Sequence, residues 1–379
     1  MNTFKTDFLH DSVCAVQSVS SIQTKNSGQY VFYNLNGDCD VETSIYRSAI
    51  TDIQRLLCLA PAKSLSPECL IATSTESASF KAEETVEGTM INLFWDERVG
   101  WEIATKKSVG CNYFYFRNQY DGVGEQKTFR QMFLEAFSQK PSELSKLDVL
   151  SQLDKTHCYT FVLQHPLNHI VLNVSEPAVY LVFMYKLGEP MNYEYVSDYG
   201  EMRSVLANAG VKFPSQYGEV FSKGDFQAKY DDLASRNTEN PGFMITNLET
   251  GYRTSIESTE YSSIRALRGN NPNLFFQYLM LRKSDEVAKF IGHFPQYTKL
   301  FQDFQNRFNE YVYKLYHLYV EVFITKVKDS KSIEDKKAFF FVNRLHYTVY
   351  LQSLKTNKTK ITPKIVEAFL DHKEYMMPI

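Results

Sequence analysis

The chain has 379 residues, of which 44% are hydrophobic, 15% aromatic and 22% charged, so its length suits two domains and its composition excludes wholesale disorder. The formal net charge of −3 conceals an asymmetry: the residues from Asn273 to the end carry 17 Lys and Arg against 11 Asp and Glu, whereas the first 272 carry 24 against 33. A basic segment of this kind either follows a phosphate backbone or forms a solvated helical surface, and charge alone favours the surface.

Short strands dominate the first two-thirds of the chain. Runs of aromatic and β-branched residues, separated by Gly, Asp and Asn, predict strands over residues 89–95, 101–106, 112–116, 158–164, 169–174, 179–185, 243–248 and 252–257. The last two runs are expected to form a hairpin. Residues 126–139 carry apolar side chains at the spacing of a helix with one buried face. Strands mixed with packed helices predict an α+β domain.

Helices replace strands after about residue 269. The apolar periodicity predicts helices over residues 274–282, 299–326, 337–354 and 363–372, with Pro295 and Pro363 near their boundaries. Tyr311, Leu315 and Val322 lie along one face of the longest segment, and such a stripe favours a core position over a ligand site. We therefore predict two domains, 1–268 and 269–379, of which the second is helical.

Cysteine usage and the N-terminal residues bear on the compartment. All six cysteines lie in the first half of the chain without a C-x-x-C pair, which fits neither a disulfide framework nor a structural zinc site. The first residues contain no apolar signal segment, and no apolar run approaches the length of about 18 residues that a membrane span needs. These features predict an intracellular protein without a membrane partner.

Seven short segments carry a resemblance through their order and spacing. They are S-I-Y-R-S-A-I over 44–50, which supplies Arg47; L-A-P-A-K-S-L over 59–65, which supplies Lys63; T-V-E-G-T-M over 85–90; Y-T-F-V over 159–162; N-H-I-V over 168–171; P-G-F-M-I over 241–245; and R-T-S-I-E over 253–257. In this order they resemble the motifs of the covalent nucleotidyltransferases, and of the phage-type RNA ligases in particular. The family pattern is an arginine in a strand, a lysine, K-x-D-G, F-E-x-V, N-R-I-V, E-G-x-V and K-x-K.

The resemblance implies the nucleotidyltransferase fold of ATP-dependent ligases for residues 1–268, followed by a helical C-terminal domain. It implies that Arg47 and Lys63 hold nucleotide phosphates, and that Glu87 and Gly88 keep an acidic-glycine turn beside Thr85. These five residues are the candidate nucleotide or phosphate pocket. The implied cofactor is ATP or another nucleotide with Mg. The alternative is that Glu87 and Gly88 only shape a hairpin, while Arg47 forms an ordinary ion pair.

The departures from the family pattern fall on its catalytic positions. Thr85 stands where the family's lysine attacks the α-phosphate of ATP, and a threonine hydroxyl cannot form a lysyl-AMP. Thr160 and Pro241 match two carboxylates that bind ribose or a metal ion. Ser255 and Glu257 match two lysines that neutralise the α-phosphate. We therefore predict no catalytic residue among them.

Two further groups of residues could restore or add chemistry. Lys81, Lys106 and Lys107 are the candidates for a relocated nucleophile. Arg265 and Arg268, near the domain boundary, are candidate nucleic-acid contacts, or alternatively belong to ordinary helix and turn chemistry.

Three histidines around the third motif raise the question of a metal site. His157, His165 and His169 have no carboxylate nearby at ligand spacing, and Pro166 interrupts the strand geometry that would align them. We expect hydrogen-bonded polar histidines and no metal ion.

The sequence therefore favours a catalytically degenerate RNA-ligase-like protein that binds nucleic acid, a nucleotide or a protein partner without forming a lysyl-AMP. The expected partners are RNA or DNA, or viral and virion proteins, because the same motifs also resemble proteins of large DNA viruses. That resemblance implies the cytoplasm, a viral factory or the virion as the location. One alternative is a structural or virion-associated role on a ligase scaffold. The other is an active ATP-dependent RNA ligase with an unusual nucleophile.

Overall fold

The computed structural model describes residues 2–6, 22–37, 39–52, 54–114, 127–168, 170–236, 238, 240–269, 271, 273–354 and 358–371. These residues form two compact units. Unit 1 comprises the described residues up to Arg265, and unit 2 begins at Ala266. The assignment of 1–268 and 269–379 as separate domains stays a prediction.

Unit 1 contains three antiparallel sheets. Its strands are β1 (Asn2–Thr3), β2 (Ile22–Ser27), β3 (Tyr30–Leu35), β4 (Ala49–Thr51), β5 (Leu56–Leu59), β6 (Ser79–Glu84), β7 (Thr89–Asp96), β8 (Gly100–Thr105), β9 (Ser108–Val109), β10 (His157–Gln164), β11 (Ala178–Gly188), β12 (Asn192–Tyr195), β13 (Phe221–Ser222), β14 (Gly242–Asn247) and β15 (Arg253–Glu257). The central sheet has the order β1-β12-β11-β10-β7-β8-β9, and two four-stranded sheets have the orders β13-β6-β14-β15 and β2-β3-β4-β5.

Six helices lie in or begin in unit 1. They are α1 (Val41–Ser44), α2 (Pro67–Thr73), α3 (Phe129–Glu135), α4 (Gly200–Asn208), α5 (Phe226–Ala234) and α6 (Thr259–Arg268). Polar side chains fix several of their starts: Asp40 and Thr43 form a capping box at α1, and Thr128 and Gln131 form one at α3.

Strand alternation divides the core of unit 1 between the two faces of the central sheet. On β10, Tyr159, Phe161 and Leu163 pack with the aromatic residues of α3 on one face. Cys158, on the opposite face, packs with the β2-β3-β4-β5 sheet. The third sheet has its own core, in which Phe80 and Phe243 contact residues of α2 and α5. Because side chains alternate along a strand, the face of the third sheet opposite this core is available for other contacts.

Unit 2 is helical. Its helices are α7 (Leu274–Lys283), α8 (Val287–His293), α9 (Thr298–Tyr319), α10 (Lys336–Arg344), α11 (Leu351–Ser353) and α12 (Pro363–Leu370), with π-helical turns at Val320–Ile324 and Leu345–Tyr350. Tyr311, Leu315 and Val322 are buried, as their spacing predicts. Across the described residues of both units, no helix combines the length and the apolar character needed to cross a bilayer.

The α+β class and the helical C-terminal region are confirmed. Strands β7, β8, β10, β11, β14 and β15 lie where strands are predicted, and β14 pairs with β15 as a hairpin. Helix α3 is shorter than predicted, at Phe129–Glu135. Residues 115, 116, 126, 169 and 372 of the predicted elements lie outside the described residues.

Two predicted strands are wrong, and so is a third that only the family resemblance implies. Residues 112–114 form no strand, and neither do residues 170–174, whose backbone N–H groups at 170–172 bind a side chain instead of a neighbouring strand. Residues 44–50 were expected to form a strand around Arg47. The Asp40 capping box instead starts α1, a 3₁₀ turn at Ile45–Arg47 follows it, and β4 begins only at Ala49.

Candidate functional site

A cavity of about 160 Å³ lies in unit 1 between the third sheet and the central sheet. On β6, β14 and β15, the residues opposite the apolar core face it, because side chains alternate along a strand. The central sheet contributes side chains of β7, β10 and β11. The described residues that line it are Arg47, Pro61, Glu83, Glu84, Thr85, Val86, Gly88, Met90, Thr160, Val162, Val182, Phe183, Pro214, Met244, Thr246 and Arg253. We call this space the Thr85 cavity.

Thr85 directly follows β6, and its backbone N–H donates to the carbonyl of Gly242 at 2.9 Å. It lines the cavity together with Arg47, Gly88 and Thr160. The structure therefore brings together four of the positions that the motifs single out. None of the described lining residues is a lysine.

Arg253 is a cavity residue that the motif comparison missed. It opens β15, is buried, and donates from Nε to the carbonyl of Ala62 at 2.9 Å. Burial, followed by the charge of Arg47, lowers the pKa of Arg253 to about 9. The guanidinium groups of Arg47 and Arg253 thus line the same cavity. If the family's last motif, K-x-K, is aligned two residues earlier, its first lysine position falls on Arg253.

Lysines extend this positive charge beyond the cavity lining. Lys106 Nζ donates to the carbonyl of Leu35 at 3.2 Å, and Lys63 Nζ donates to the carbonyl of Gly37. Burial lowers the pKa of Lys106, and the charges of Lys107, Arg47 and Lys63 lower it further.

We call Arg47, Lys63, Lys106, Lys107 and Arg253 the cationic cluster. Within the described part of the chain, none of these five side chains forms an ion pair with a carboxylate. Ordinary ion-pair formation, the alternative expected for Arg47, is thus not observed among the described residues.

The carboxylates at the cavity are already engaged by other groups. Glu83 Oε1 forms an ion pair with Lys81 Nζ at 3.0 Å, and Lys81 is buried. Glu84 Oε1 accepts hydrogen bonds from the backbone N–H of Ser215 at 3.0 Å and from its hydroxyl at 3.2 Å. Thr160, at the position of a family carboxylate, donates its hydroxyl to Asn92 Oδ1 at 2.9 Å.

Glu87 has a clear structural task. Its carboxylate is 4% exposed and accepts from the backbone N–H groups of Ile170, Val171 and Leu172 at 3.0–3.2 Å. The hydroxyl of Tyr261 also hydrogen-bonds to it, and burial raises the pKa of Tyr261. Three consecutive N–H groups around one carboxylate form an anion-binding nest. Glu87 therefore fastens the segment after β10 to the turn between β6 and β7.

Gly88 is required by close packing. Its φ of +152° is rare for residues with a side chain, and a Cβ atom there would lie 2.3 Å from the carbonyl oxygen of Leu163 and 2.7 Å from a methyl group of Val162. The turn thus approaches β10 too closely for any other residue.

The remaining motif positions lie away from the cavity lining. Pro241 precedes β14, and its carbonyl accepts from the N–H of Ser258 at 3.0 Å. Ser255 pairs with Met244 across the β14–β15 hairpin, and Glu257 is exposed at the end of β15 beside a different cleft.

The histidines near β10 are hydrogen-bonded to protein groups. His165 accepts from the N–H of Leu167 through Nδ1 at 3.1 Å, so its Nε2 carries the proton that is shared with Glu135 at 3.2 Å. His157 lies 3.3 Å from Asp154, and His169 lies outside the described residues. The described residues contain no group of three or more metal-ligating side chains.

The two arginines near the unit boundary differ in exposure. Arg265 is exposed on α6. Arg268 is buried within unit 2, where its guanidinium lies over the ring of Tyr297 at 5.6 Å. A phosphate could therefore reach Arg265 directly, whereas it would reach Arg268 only after a rearrangement.

Comparison with known proteins shows that this chain is similar to an RNA ligase. The particular relative is the RNA ligase of Rhodothermus phage RM378, which is 28% identical over 144 residues. The match covers 38% of this chain and 31% of the phage protein, so this chain spans about a third of that relative. No protein-family model matches the chain.

Among solved structures, an RNA ligase variant from Naegleria gruberi with ATP and Mn is similar with a TM-score of 0.39 at 11% identity, covering 64% of this chain and 76% of that one. Another variant of the same ligase, with AMP and Mn, has a TM-score of 0.39 at 10% identity, covering 56% and 64%.

Proposed function

We propose that this chain is a ligase-like protein that binds the phosphate groups of a nucleotide or a nucleic acid and forms no covalent lysyl-AMP. One observation supports the proposal above the others: Thr85 shares its cavity with Arg47 and Arg253, while no described lining residue is a lysine. Guanidinium groups attract phosphate, but they cannot serve as the amine nucleophile that nucleotidyl transfer needs.

A second candidate function is lysyl-AMP formation on a relocated lysine. An amine nucleophile must be uncharged, and burial together with its cationic neighbours lowers the pKa of Lys106 in that direction. Lys81 is the weaker candidate, because its amine is already engaged by Glu83 at 3.0 Å. Lys106 is therefore the residue on which the two functions separate most sharply.

Incubation with ATP labelled at the α-phosphate distinguishes the two functions. The protein is mixed with labelled ATP and either Mg²⁺ or Mn²⁺, then separated on a denaturing gel, with Lys106→Ala and Lys81→Ala run in parallel. We expect no labelled band in any lane. A band that is present in the wild type and lost in Lys106→Ala would overturn the proposal and establish a ligase with an unusual nucleophile.

Nucleic-acid binding distinguishes the proposed function from the alternative, a structural or virion-associated protein. Phosphate contacts give binding that weakens steeply with salt. We expect short RNA or DNA strands to bind at low salt and to lose affinity in Arg265→Ala, whose parent side chain is exposed. The absence of binding to RNA, DNA and nucleotides at any salt concentration would favour a protein partner, viral or otherwise.

A further inference from the structure

Among the described residues, no carboxylate forms an ion pair with a member of the cationic cluster, and the two carboxylates that line the cavity, Glu83 and Glu84, are engaged by Lys81 and Ser215. Arg47 and Arg253 interact across the cavity lining, and Lys63, Lys106 and Lys107 lie near enough to Arg47 or Lys106 to lower the pKa of Lys106. Like charges held together in a partly buried site disfavour one another. A bound anion would relieve the repulsion between Arg47 and Arg253, which both line the cavity.

A divalent metal ion finds no matching set of ligands at this place. The matched carboxylate positions hold Thr160 and Pro241, and Thr160 gives its hydroxyl to Asn92. The two carboxylates that do line the cavity are held by Lys81 and by Ser215. Hard cations such as Mg²⁺ need several free oxygen ligands or retained waters beside a carboxylate. The implied Mg site therefore does not fit these residues, whereas direct contact between phosphate and guanidinium does.

The size of the cavity limits what can enter it. At about 160 Å³ it is smaller than the roughly 300–1,000 Å³ of sites that enclose drug-sized ligands. Part of its wall is formed by the apolar side chains of Met90, Val162, Val182, Phe183 and Met244. Phosphate groups fit such a space, but a complete nucleotide does not.

The neighbouring cleft is a poor alternative for phosphate. It measures about 310 Å³ and shares Thr85 with the cavity. Glu84, Glu87 and Glu176 line it, and Lys212 is the cationic residue among its described lining. Glu84 lines both spaces, and Glu83 lines the Thr85 cavity as well. The cavity nevertheless offers two guanidinium groups in its described lining, whereas the cleft offers one ammonium, so phosphates are directed to the cavity.

We propose that the Thr85 cavity binds the terminal phosphates of a polyphosphate chain without a divalent metal ion and without selecting the base. Arg47 and Arg253 hold the end of the chain, and Lys63, Lys106 and Lys107 contact the phosphates that follow. This inference rests on the proposed phosphate binding. It adds that binding needs no divalent metal ion and does not depend on the identity of the base. The terminal phosphates belong either to a free nucleoside triphosphate or to a phosphorylated strand end.

Titration calorimetry with the full chain tests the proposal. The probes are inorganic tripolyphosphate, ATP and GTP, each in EDTA and in Mg²⁺. We expect ATP and GTP to agree within about threefold and EDTA to leave the affinities unchanged, because charged hydrogen bonds to phosphate supply the binding. Binding that requires Mg²⁺, or a preference for ATP over GTP of more than about tenfold, would overturn this inference while leaving phosphate binding intact. Absence of binding under every condition would overturn the proposed function as well.

Variants assign the site. Arg47→Gln and Arg253→Gln are each expected to weaken tripolyphosphate binding by at least about tenfold, and Arg236→Gln, at an exposed ion pair in the same unit, serves as the matched control. Lys107 is exposed, so Lys107→Gln should fold normally. This variant therefore tests the site even if a buried arginine variant fails to fold. Its expected loss is about threefold and should vanish at high salt. Equal affinity of wild type, Lys107→Gln and Arg47→Gln would overturn the assignment.

Competition identifies the source of the phosphates. A short RNA with a 5′-phosphate and its 5′-hydroxyl counterpart are titrated against bound tripolyphosphate. Displacement by the phosphorylated strand alone supports a strand end as the ligand, and displacement by neither supports a free triphosphate. Equal displacement by both strands would contradict a site that recognises terminal phosphates.

Discussion

Glu87 offers the sharpest test of which motif residues serve the fold. Glu87→Gln keeps the shape of the side chain but removes its charge and one acceptor oxygen. The native carboxylate is buried and accepts from the N–H groups of residues 170–172. A hydrogen bond to a charged group contributes about 1.5–3 kcal/mol, and a buried donor left without an acceptor costs about 1–3 kcal/mol. We therefore expect Glu87→Gln to lower the free energy of unfolding of unit 1 by about 3 kcal/mol.

Intrinsic fluorescence during urea unfolding measures this loss. The chain has two tryptophans, Trp95 and Trp101, and both lie in unit 1 with ring centroids 5.6 Å apart. A loss of this size corresponds to a fall in melting temperature of roughly 6–12 °C for a unit of this length. The control is Glu97→Gln, which removes an exposed ion pair with Arg55 and should have no measurable effect.

The same variants separate a structural role from a ligand-binding role. Folded Glu87→Gln should keep its affinity for tripolyphosphate within about threefold, because its carboxylate is bound to the backbone and not to the cationic cluster. A stability equal to that of Glu97→Gln, combined with lost tripolyphosphate binding, would refute the reasoning. Glu87 would then act on a ligand instead of on residues 170–172.

Three further predictions concern neighbouring positions. Gly88→Ala should destabilise unit 1 by at least about 2 kcal/mol in the same urea assay, because its Cβ atom would meet Leu163 O at 2.3 Å, and wild-type stability would contradict this close approach. Burial lowers the pKa of His165 in the folded protein, despite the opposing effect of Glu135. The neutral histidine therefore contributes to the free energy of unfolding above its unfolded pKa of about 6.5, and this contribution is lost as pH falls through the folded pKa. The urea midpoint should therefore drop between about pH 7.5 and pH 5, and less so in His165→Gln; identical slopes would exclude His165 as the source. Thr85→Lys alone should give no labelled band with ATP, since the carboxylate positions stay unfilled, and a band would show that the lost lysine is the only defect.

Local patterns predicted the strands that alternate and the helices with one apolar face. On β10, Tyr159, Phe161 and Leu163 are buried on one face, as a period of two requires. Residues 170–174 are equally apolar, yet they form no strand because Glu87, more than 80 residues earlier, binds their N–H groups. A long-range interaction of this kind leaves no periodic signal in the segment that it captures.

The candidate site was predictable only in part for a similar reason. Four of the positions that the motifs single out, Arg47, Thr85, Gly88 and Thr160, line one cavity, whereas Lys63 and Glu87 are not among its described lining. The last motif was aligned on Ser255 and Glu257 and so passed over Arg253 in the same segment. The place of Arg253 follows from strand pairing, in which Thr246 lies between Lys81 and Arg253 in neighbouring strands. Register across strands decides which residue of a motif reaches a cavity, and a single sequence does not specify it.

The retained motif residues fall into two groups, those that stabilise the fold and those that cost it stability. Glu87 and Gly88 stabilise a turn and allow a close approach, so packing alone accounts for them. Arg47 and Arg253 do the opposite, because burial lowers the pKa of both guanidinium groups. For Arg253, whose pKa falls to about 9, a charge that is kept at neutral pH corresponds to a cost on the order of 5 kcal/mol to the folded state. Arg47→Gln should therefore raise the melting temperature in the absence of phosphate and lower it, relative to wild type, in excess tripolyphosphate. Arg253 is less suited to this test, because its Nε also donates to the carbonyl of Ala62. Thermal melts of Arg47→Gln with and without tripolyphosphate measure both effects. A variant destabilised equally under both conditions would mean that Arg47 serves packing, and the charge of the cluster would lose its functional explanation.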